Sequence, residues 1–367
     1  MSDTLSFKYG RMLSDFTVGE TYLHPWEVTL DAGLSAFYAA SFLDATPVFS
    51  SAAYAKDMGL PGRPLHPLLC LNLALSFSVH DVSEQAIAHL AYVDVRFPDA
   101  AYVGDTVRAR STVLSAKPSS SGDKGVVHVR TVLDTTDGNV VCAFERKALI
   151  RGGSVAGRPG VLASEANQID AAASLEEAPR LPPELRQRVR VPVRAATLWG
   201  HYQDFKAGQV FAHGIGKTVG ETEHMQLTTL FRNSHPLHFD ELYCKDGSFT
   251  KQRVVYGGLV FGWVAALASR DLAGNALWDL GYEAGAHPAS VAAGDTLYAA
   301  SKVLATDDGE NAGSVTLALV GVKNLTSRMA LEKYGDALFE AELSKKDNKI
   351  PEKVFEIKRR LLVAKRG

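Results

Sequence analysis

The chain has 367 residues, of which 46% are hydrophobic and 22% are charged, and its formal net charge at neutral pH is −2. This near balance, without long runs of Lys or Arg, argues against nucleic acid and anionic membranes as principal partners and favours a small-molecule ligand. The length exceeds that of one common domain, and it predicts two units of roughly 150 residues with a connector.

The first half of the chain predicts one buried helix followed by antiparallel strands. A short apolar helix is predicted over residues 32–43, and it leads into the turn Asp-Ala-Thr-Pro-Val-Phe at residues 44–49. Residues 68–79 are rich in Leu and Ala and apolar on nearly every side, which predicts a helix enclosed by the core. Alternating apolar and polar residues then predict strands over residues 107–114, 126–133 and 140–150, with a Thr-Asp-Gly turn between the last two.

The second half repeats this order after a connector. Residues 152–192 are rich in Gly, Ala and Pro, which predicts an ordered connector with some helix. The segments that follow are a helix over residues 221–231, the turn Asn-Ser-His-Pro-Leu-His at 233–238 and a buried helix over 258–272. A partly helical insertion over residues 325–350 precedes a closing strand over 354–363.

Sequence matches between the halves indicate an internal duplication. Phe-Thr-Val-Gly-Glu-Thr-Tyr at 16–22 matches Phe-Lys-Ala-Gly-Gln-Val-Phe at 205–211, and His24 falls on His213 at the same spacing. We therefore expect an amino-terminal unit at residues 1–155, a connector at 156–200 and a carboxy-terminal unit at 201–367. One buried helix followed by long antiparallel strands predicts an α+β fold. In it, each sheet wraps around its helix and the two sheets pair edge to edge.

The second copy carries a motif that resembles a known family. Asn233, His235, Pro236 and His238, followed by Val-Val-Tyr-Gly-Gly at 254–258, resemble the Asp-x-Asn-Pro-x-His and His-Gly motifs of the MaoC-like (R)-specific enoyl-CoA hydratases. This variant is similar in particular to the mesaconyl-CoA hydratases, also called β-methylmalyl-CoA dehydratases. The resemblance implies a double hot-dog fold and reversible hydration of an enoyl-CoA. It also implies an acyl-CoA partner and no separate cofactor, since CoA is part of the substrate.

Hydration of an α,β-unsaturated thioester requires a base for water and a proton for the α carbon, and His238 is the residue that we expect to provide both. A histidine that only satisfies local backbone groups is the alternative. Asn233 occupies the position of the family's aspartate, and a carboxamide can orient water but cannot accept a proton. Asp240 or Glu223 could replace the missing carboxylate, although acidic residues after a turn are more often charge partners of a helix N-terminus.

Charge on the thioester oxygen requires a hydrogen-bond donor, which we expect to be the backbone N–H of Gly257. Gly258 would allow close approach of the thioester, although two glycines at the start of a buried helix could equally be a packing device. The first half has Phe49 in place of His238 and Pro67 in place of Gly257, and proline has no N–H to donate. Asp44 keeps the carboxylate but has no partner at the matched position. The first half is therefore expected to support the fold and to shape the pocket.

Further substrate contacts are expected from side chains close to the motif. Tyr256 and His235 are predicted to bind the substrate. Basic residues are expected to bind the CoA phosphates, and the nearest in sequence are Arg232, Lys251, Arg253, Lys56 and Arg63. The His-x-x-His spacing of His235 and His238 invites a metal, but further ligands are lacking, so no metal is expected.

Two other functions remain open from the sequence. Hot-dog folds also serve as acyl-CoA thioesterases, and the chain could be a non-catalytic acyl-CoA binding protein. Cys70, Cys142 and Cys244 lie among apolar neighbours and predict reduced core residues. Without a basic and apolar leader or a run of 18 apolar residues, a cytoplasmic location is expected. Both a monomer and a homodimer are compatible with a duplicated chain.

Overall fold

A computed structural model describes residues 9–155, 161–162, 175–192, 199–248, 250–342, 345 and 347–366. Its central feature is one twelve-stranded antiparallel sheet to which both halves of the chain contribute. In the first half, the strands are β1 (Thr21–Thr29), β2 (Ala86–Arg96), β3 (Thr106–Pro118), β4 (Lys124–Thr135) and β5 (Val140–Arg151). The helices are α1 (Ala32–Phe42), α2 (Pro47–Ser50), α3 (Ala52–Asp57) and α4 (Pro67–Phe77), and a π-helical turn covers Val79–Ser83.

The second half has the same order of elements with an insertion. Between the halves lie β6 (Val161–Leu162) and α5 (Pro183–Gln187). The strands that follow are β7 (Val210–Ala212), β8 (Lys217–Thr218), β9 (Ala276–Ala286), β10 (Thr296–Asp307), β11 (Ala312–Lys323) and β12 (Lys353–Ala364). The helices are α6 (Glu221–Leu230), α7 (Glu241–Gly247), α8 (Gly257–Leu272) and α9 (Ser327–Tyr334), and 3₁₀ turns cover Pro236–His238 and Gly335–Phe339.

The two sheets join edge to edge, as the sequence predicted. The strand order is β6-β1-β3-β4-β5-β2-β9-β12-β11-β10-β7, with β8 beside β10. The junction is the antiparallel pair β2 and β9, in which Tyr92 faces Gly285 and Val95 faces Tyr282. The two sheets therefore form one continuous surface, and elements from both halves can meet at the junction.

Each sheet wraps around one apolar helix, which confirms the predicted α+β double hot-dog architecture. Helix α4 packs on β3, β4 and β5, and α8 packs on β10, β11 and β12. Every side chain of α4 is buried, as is expected of a helix that is apolar on all sides. The two helices also contact each other, so one apolar core extends through both halves.

Strands β1, β2 and β9 were not predicted from the sequence. Pro25 interrupts β1, and the register of its pairing with β3 shifts at that point. The pairing of β2 with β5 shifts three times, and so does the pairing of β9 with β12. Each shift breaks the period of two on which strand prediction depends. The expected connector contributes β6 and α5, while residues 156–160, 163–174 and 193–198 lie outside the described ranges.

The three cysteines are buried and form no disulfide among the described residues. No helix in the described part of the chain has the length and apolar character needed to cross a membrane.

Candidate active site

The loop after α6 is held by hydrogen bonds between its side chains and its own backbone. Asn233 is 4% exposed, and its Oδ1 accepts a hydrogen bond from the N–H of His235 at 3.0 Å. His235 Nδ1 accepts from the N–H of Leu237 at 3.1 Å and thereby caps the 3₁₀ turn Pro236–His238. The Nε2–H of His235 lies 3.4 Å from the carbonyl oxygen of Ala86. These bonds fix the loop that ends in His238.

His238 is held in the tautomer that a general base requires. Its Nδ1–H donates to the carbonyl oxygen of Val254 at 2.8 Å, so the lone pair of the neutral ring lies on Nε2. No protein partner of Nε2 is found among the described residues. Burial, and next the neighbouring His235, lower the pKa of His238 to about 3. Near neutral pH the imidazole is therefore neutral, and the lone pair on Nε2 is available to a bound water.

Tyr256 lies beside both motif side chains. Its ring centroid is 5.6 Å from that of His238, and the Asn233 side chain approaches its hydroxyl. Ser76 Oγ, from α4 of the other half, lies 3.3 Å from the same hydroxyl. Burial raises the pKa of Tyr256 well above its usual range, so this phenol stays protonated. It can hold Asn233 in place and donate a hydrogen bond, but it cannot serve as a base.

Helix α8 begins at the cavity with two glycines. The N–H groups in the first turn of a helix have no carbonyl partner within that helix, and Gly257 and Gly258 both contribute such groups. The space around them is closed: a Cβ on Gly257 would lie 2.9 Å from His287 Nε2, and one on Gly258 would lie 2.2 Å from Asn72 Oδ1. Their N–H groups can bind an anionic oxygen, and close packing of the helix start requires glycine at the same time.

These groups line two adjoining cavities of about 110 and 440 Å³. The smaller cavity contains the motif side chains, and the larger one is predominantly apolar. Both are lined by Ile87, Ala88, His89, Leu237, His238, Gly257 and His287. Because they share these walls, the two cavities lie side by side, and Asn233 and Tyr256 line only the smaller one. No Asp or Glu of the described chain lines either part.

The structure brings together only part of the predicted site. His238, Asn233, Gly257, Gly258, Tyr256 and His235 all line the smaller cavity. Both ring nitrogens of His235 are engaged by the backbone, which leaves that residue as a support for the loop. Among the described residues, no cluster of three or more His, Cys, Asp or Glu side chains could hold a metal ion.

The basic residues predicted to bind CoA lie away from the cavities. Arg232 and Lys56 are exposed, and Lys251 donates to carbonyl oxygens in the last turn of α7. Arg63 bonds to Ser35 and to the carbonyl oxygen of Phe49. Arg253 pairs with Glu221 and Glu241. Neither Arg232 nor Arg253 lines either cavity, and their predicted contacts with the CoA phosphates stay a prediction.

The two alternative carboxylates are also placed elsewhere. Asp240 is exposed and caps α7 by accepting a hydrogen bond from the N–H of Tyr243 at 3.0 Å. Glu223 pairs with Lys217 at 2.9 Å. Asp240 thus serves a helix start and Glu223 serves a neighbouring lysine. Neither carboxylate replaces the missing aspartate of the motif.

The first half contains a filled counterpart of this site. Pro67 lacks an N–H, and the next N–H, that of Leu68, is taken by Nδ1 of His66 at 3.1 Å. The ring of Phe49 lies 4.8 Å from that of His66 and occupies the position that matches His238. The remaining cavity is only about 30 Å³. Both the base and the oxyanion donors are therefore absent from this half.

Asp44 has no partner at the position that matches His238, where Phe49 stands. It pairs with a different residue, since its Oδ2 lies 3.4 Å from Nε2 of His66. Burial alone would raise the pKa of Asp44, but the charge of His66 and the bond with it lower that pKa to about 2. The pair was not evident from the sequence, because His66 aligns with Tyr256 and lies outside the motif turn.

Arg146, His89, Tyr92 and His287 also line the smaller cavity, and the sequence did not single them out. They lie on β2, on β5 and just after β9, elements that only the joined sheet brings to the motif loop. The duplication contained a signal for one of them, because aligning β2 with β9 places His89 at the position of Asp279, which is buried.

The buried histidines predict an acid-sensitive fold. Burial lowers the pKa of His235 to about 4, of His238 to about 3 and of His287 to about 4. Below pH 6.5 the unfolded chain binds protons that the folded chain does not, so stability present above pH 6.5 is lost as the pH falls toward the folded pKa values. Each histidine contributes a loss of about 1.4 kcal/mol per pH unit.

We therefore expect the free energy of unfolding, measured in urea, to fall steeply between pH 6.5 and 5. His287→Phe copies Phe97, the matched residue of the first half. Because this variant lacks one of the three buried histidines, its free energy of unfolding should fall less steeply over the same pH range. Equal stability at pH 7.5 and 5 would contradict this account of the three histidines.

The fold and the cavity define the class of protein. A putative MaoC domain protein dehydratase from Chloroflexus aurantiacus superposes with a TM-score of 0.80 and 25% identity, and the match covers 100% of both chains. A conserved hypothetical protein from Mycobacterium tuberculosis, described as having a double hotdog fold, superposes with a TM-score of 0.70 and 22% identity over 96% of this chain and 98% of that one. The chain is a double hot-dog protein of the MaoC-like dehydratase class.

Sequence relatives define the family within that class. The family described as mesaconyl-CoA hydratase matches residues 3–327. A mesaconyl-CoA hydratase from Cereibacter sphaeroides is 33% identical over 86% of this chain and 90% of the relative. A beta-methylmalyl-CoA dehydratase from Chloroflexus aurantiacus is 30% identical over 81% of this chain and 82% of the relative. The chain belongs to the mesaconyl-CoA hydratase family.

Proposed function

We propose that the protein adds water reversibly across the α,β double bond of an enoyl-CoA, with mesaconyl-CoA and β-methylmalyl-CoA as the substrate pair. The observation that carries this proposal is the pairing of a neutral His238 Nε2 with the free N–H groups of α8 at one cavity. The family relatives named for both directions of this reaction support the choice of acyl group. The reaction needs no cofactor beyond the CoA of the substrate.

In the proposed mechanism, one base carries the proton in both directions. Nε2 of His238 takes a proton from water as the water oxygen bonds to the β carbon. The electron pair of the double bond moves to the thioester, and the N–H of Gly257 stabilises the resulting charge on its oxygen. The imidazolium then returns a proton to the α carbon. Elimination follows the same steps in reverse.

Asn233 is proposed to position the water. Its Oδ1 already accepts from the backbone of His235, which leaves the amide N–H₂ to bind the water oxygen or the Tyr256 hydroxyl. Because no described carboxylate lines the cavity, the proton transfers fall to His238. The proposed location is the cytoplasm, which suits the three unpaired cysteines.

The test follows loss of the double bond and cleavage of the thioester in two separate assays. Mesaconyl-CoA is incubated with the protein, enoyl absorbance is followed, and free thiol is assayed in parallel. We expect loss of absorbance without thiol release. Thiol release would support a thioesterase, and no change in either signal would support a protein that only binds acyl-CoA.

Asn233→Asp is expected to retain hydration within about tenfold of the wild type and to move the acid limb of the pH profile upward. The geometry is compatible, because Asp44 at the matched position makes the same bond, accepting from the N–H of Thr46 at 2.8 Å. A carboxylate near the imidazolium favours its protonated form and raises the pKa of His238. The profile of kcat/KM against pH measures this shift.

Asp44→Asn is the matched control, and it should leave kcat/KM for hydration unchanged because that site is filled by Phe49. A loss greater than 100-fold in Asn233→Asp would contradict the proposal that the amide serves only to position water.

A further inference from the structure

The smaller cavity contains a buried guanidinium that no carboxylate neutralises. Arg146 is 3% exposed, and its Nη2 donates to Ser78 Oγ at 2.8 Å and to Ser83 Oγ at 3.1 Å. Its Nε has no hydrogen-bond partner, and no Asp or Glu in the described part of the chain pairs with it. A buried charge is costly unless it is paired, so this arrangement needs an explanation.

The duplicated chain provides a control for that observation. Arg146 on β5 faces Tyr92 on β2, and Arg359 on β12 faces Tyr282 on β9, with the same bulge two residues further along each pair. Arg359 is neutralised: its Nη2 and Nε lie 2.9 and 3.2 Å from Oδ2 of Asp279. The two arginines are therefore equivalent in position and differ in whether the protein pairs their charge.

The residue at the position of Asp279 explains why Arg359 is neutralised and Arg146 is not. Asp279 faces Leu361 across its strand pair, and His89 faces Ala148 in the same register, so His89 stands where the neutralising carboxylate would be. Within the described ranges, neither ring nitrogen of His89 has a hydrogen-bond partner, although both are buried. The half that supplies Arg146 thus has no carboxylate at the position of Asp279, in a cavity that His238 also lines.

We propose that Arg146 binds the free carboxylate of a dicarboxylic acyl group, with the His89 ring beside it as a further hydrogen-bond donor. The inference rests on the proposed hydratase function and identifies how that site selects its substrate class. In mesaconyl-CoA the free carboxylate is attached to the β carbon, so it lies close to the carbon that receives water from His238. The substrate supplies the carboxylate that Asp279 supplies in the other half.

Size and charge are consistent with this assignment. The smaller cavity, of about 110 Å³, is well above the size needed to hold one water molecule, so it has room for a carboxylate beside Arg146. Burial lowers the pKa of Arg146 to about 10, so the guanidinium remains cationic near neutral pH. A neutral enoyl group in the same place would leave that cation unpaired, and this mismatch creates the preference.

The test compares two substrates that differ only at the carboxylate. Mesaconyl-CoA carries it, and tiglyl-CoA has a methyl group in its place. We expect wild-type kcat/KM to be higher for mesaconyl-CoA and Arg146→Gln to lower that value by about 100-fold, which is the size of effect expected when one member of a buried charge pair is removed. The value for tiglyl-CoA should stay constant or rise.

Two further variants keep the test independent of folding. His89→Asp copies Asp279, would neutralise Arg146 from within the protein, and should also remove the preference for the dicarboxylic substrate. Lys147→Gln removes a positive charge from the next residue of β5, which is exposed, and should leave the ratio of the two substrates unchanged.

The outcomes separate the two proposals. A wild-type enzyme that hydrates both substrates equally, or an Arg146→Gln variant that keeps the wild-type ratio, would overturn the role of Arg146 and leave the hydratase function intact. A wild-type protein that hydrates neither substrate would overturn the proposed function, and with it this inference.

Discussion

Replacing His238 with alanine is expected to lower kcat/KM for hydration of mesaconyl-CoA by about 10³- to 10⁴-fold, the upper range for loss of a general acid–base group. The reason is that Nε2 of this ring is the only base proposed for both proton transfers, while Tyr256 remains protonated. The loss should fall mainly on kcat, since substrate binding depends on other groups. Steady-state rates of enoyl absorbance change measure it.

Two variants separate loss of the base from damage to the loop. His238→Asn keeps an N–H₂ group that can donate to the carbonyl oxygen of Val254, as Nδ1 does, but it removes the base and should be as inactive as the alanine variant. Phe49→Leu changes the matched position of the first half and should keep wild-type kcat. Retention of more than a tenth of wild-type activity in both His238 variants would rule out this residue as the base.

Gly258→Ala is expected to lower kcat by about 10²- to 10³-fold, the effect of losing one oxyanion donor. The added Cβ would lie 2.2 Å from Asn72 Oδ1 and 2.6 Å from the hydroxyl oxygen of Tyr256. Both neighbours belong to the packed core, so the start of α8 must move and its N–H groups move with it. Kinetics of the variant, with its thermal unfolding measured in parallel, provide the check.

Gly262→Ala is the matched control in the same helix. Its Cβ would lie 2.5 Å from Phe42, so the substitution disturbs the packing of α8 away from the cavity. We expect it to lower stability and to keep kcat close to the wild-type value. If both glycine variants lost activity in proportion to their loss of stability, the glycines would be a packing device and the oxyanion role would be wrong.

Much of the fold followed from local patterns in the chain. The apolar surface of residues 68–79 predicted a buried helix, and α4 is buried on every side because such a helix has no face for water. Alternation predicted β3, β4 and β5 to within a few residues. Strands β2 and β9 were missed, because the pairing of each with its neighbour shifts register three times and so loses the alternation on which strand prediction depends.

The sequence by itself determined that the chain is duplicated, that only the second copy keeps a histidine and a helix start with free N–H groups, and what chemistry those groups suit. These are properties of neighbouring residues, since a turn, a cap and a helix start are built within a few positions. Tertiary structure alone decided that Asp44 is paired with His66 and that Arg146 lines the same cavity as His238. Residues so far apart in the chain meet only because the sheets join at β2 and β9, and no local pattern encodes which side chains a joined sheet brings together.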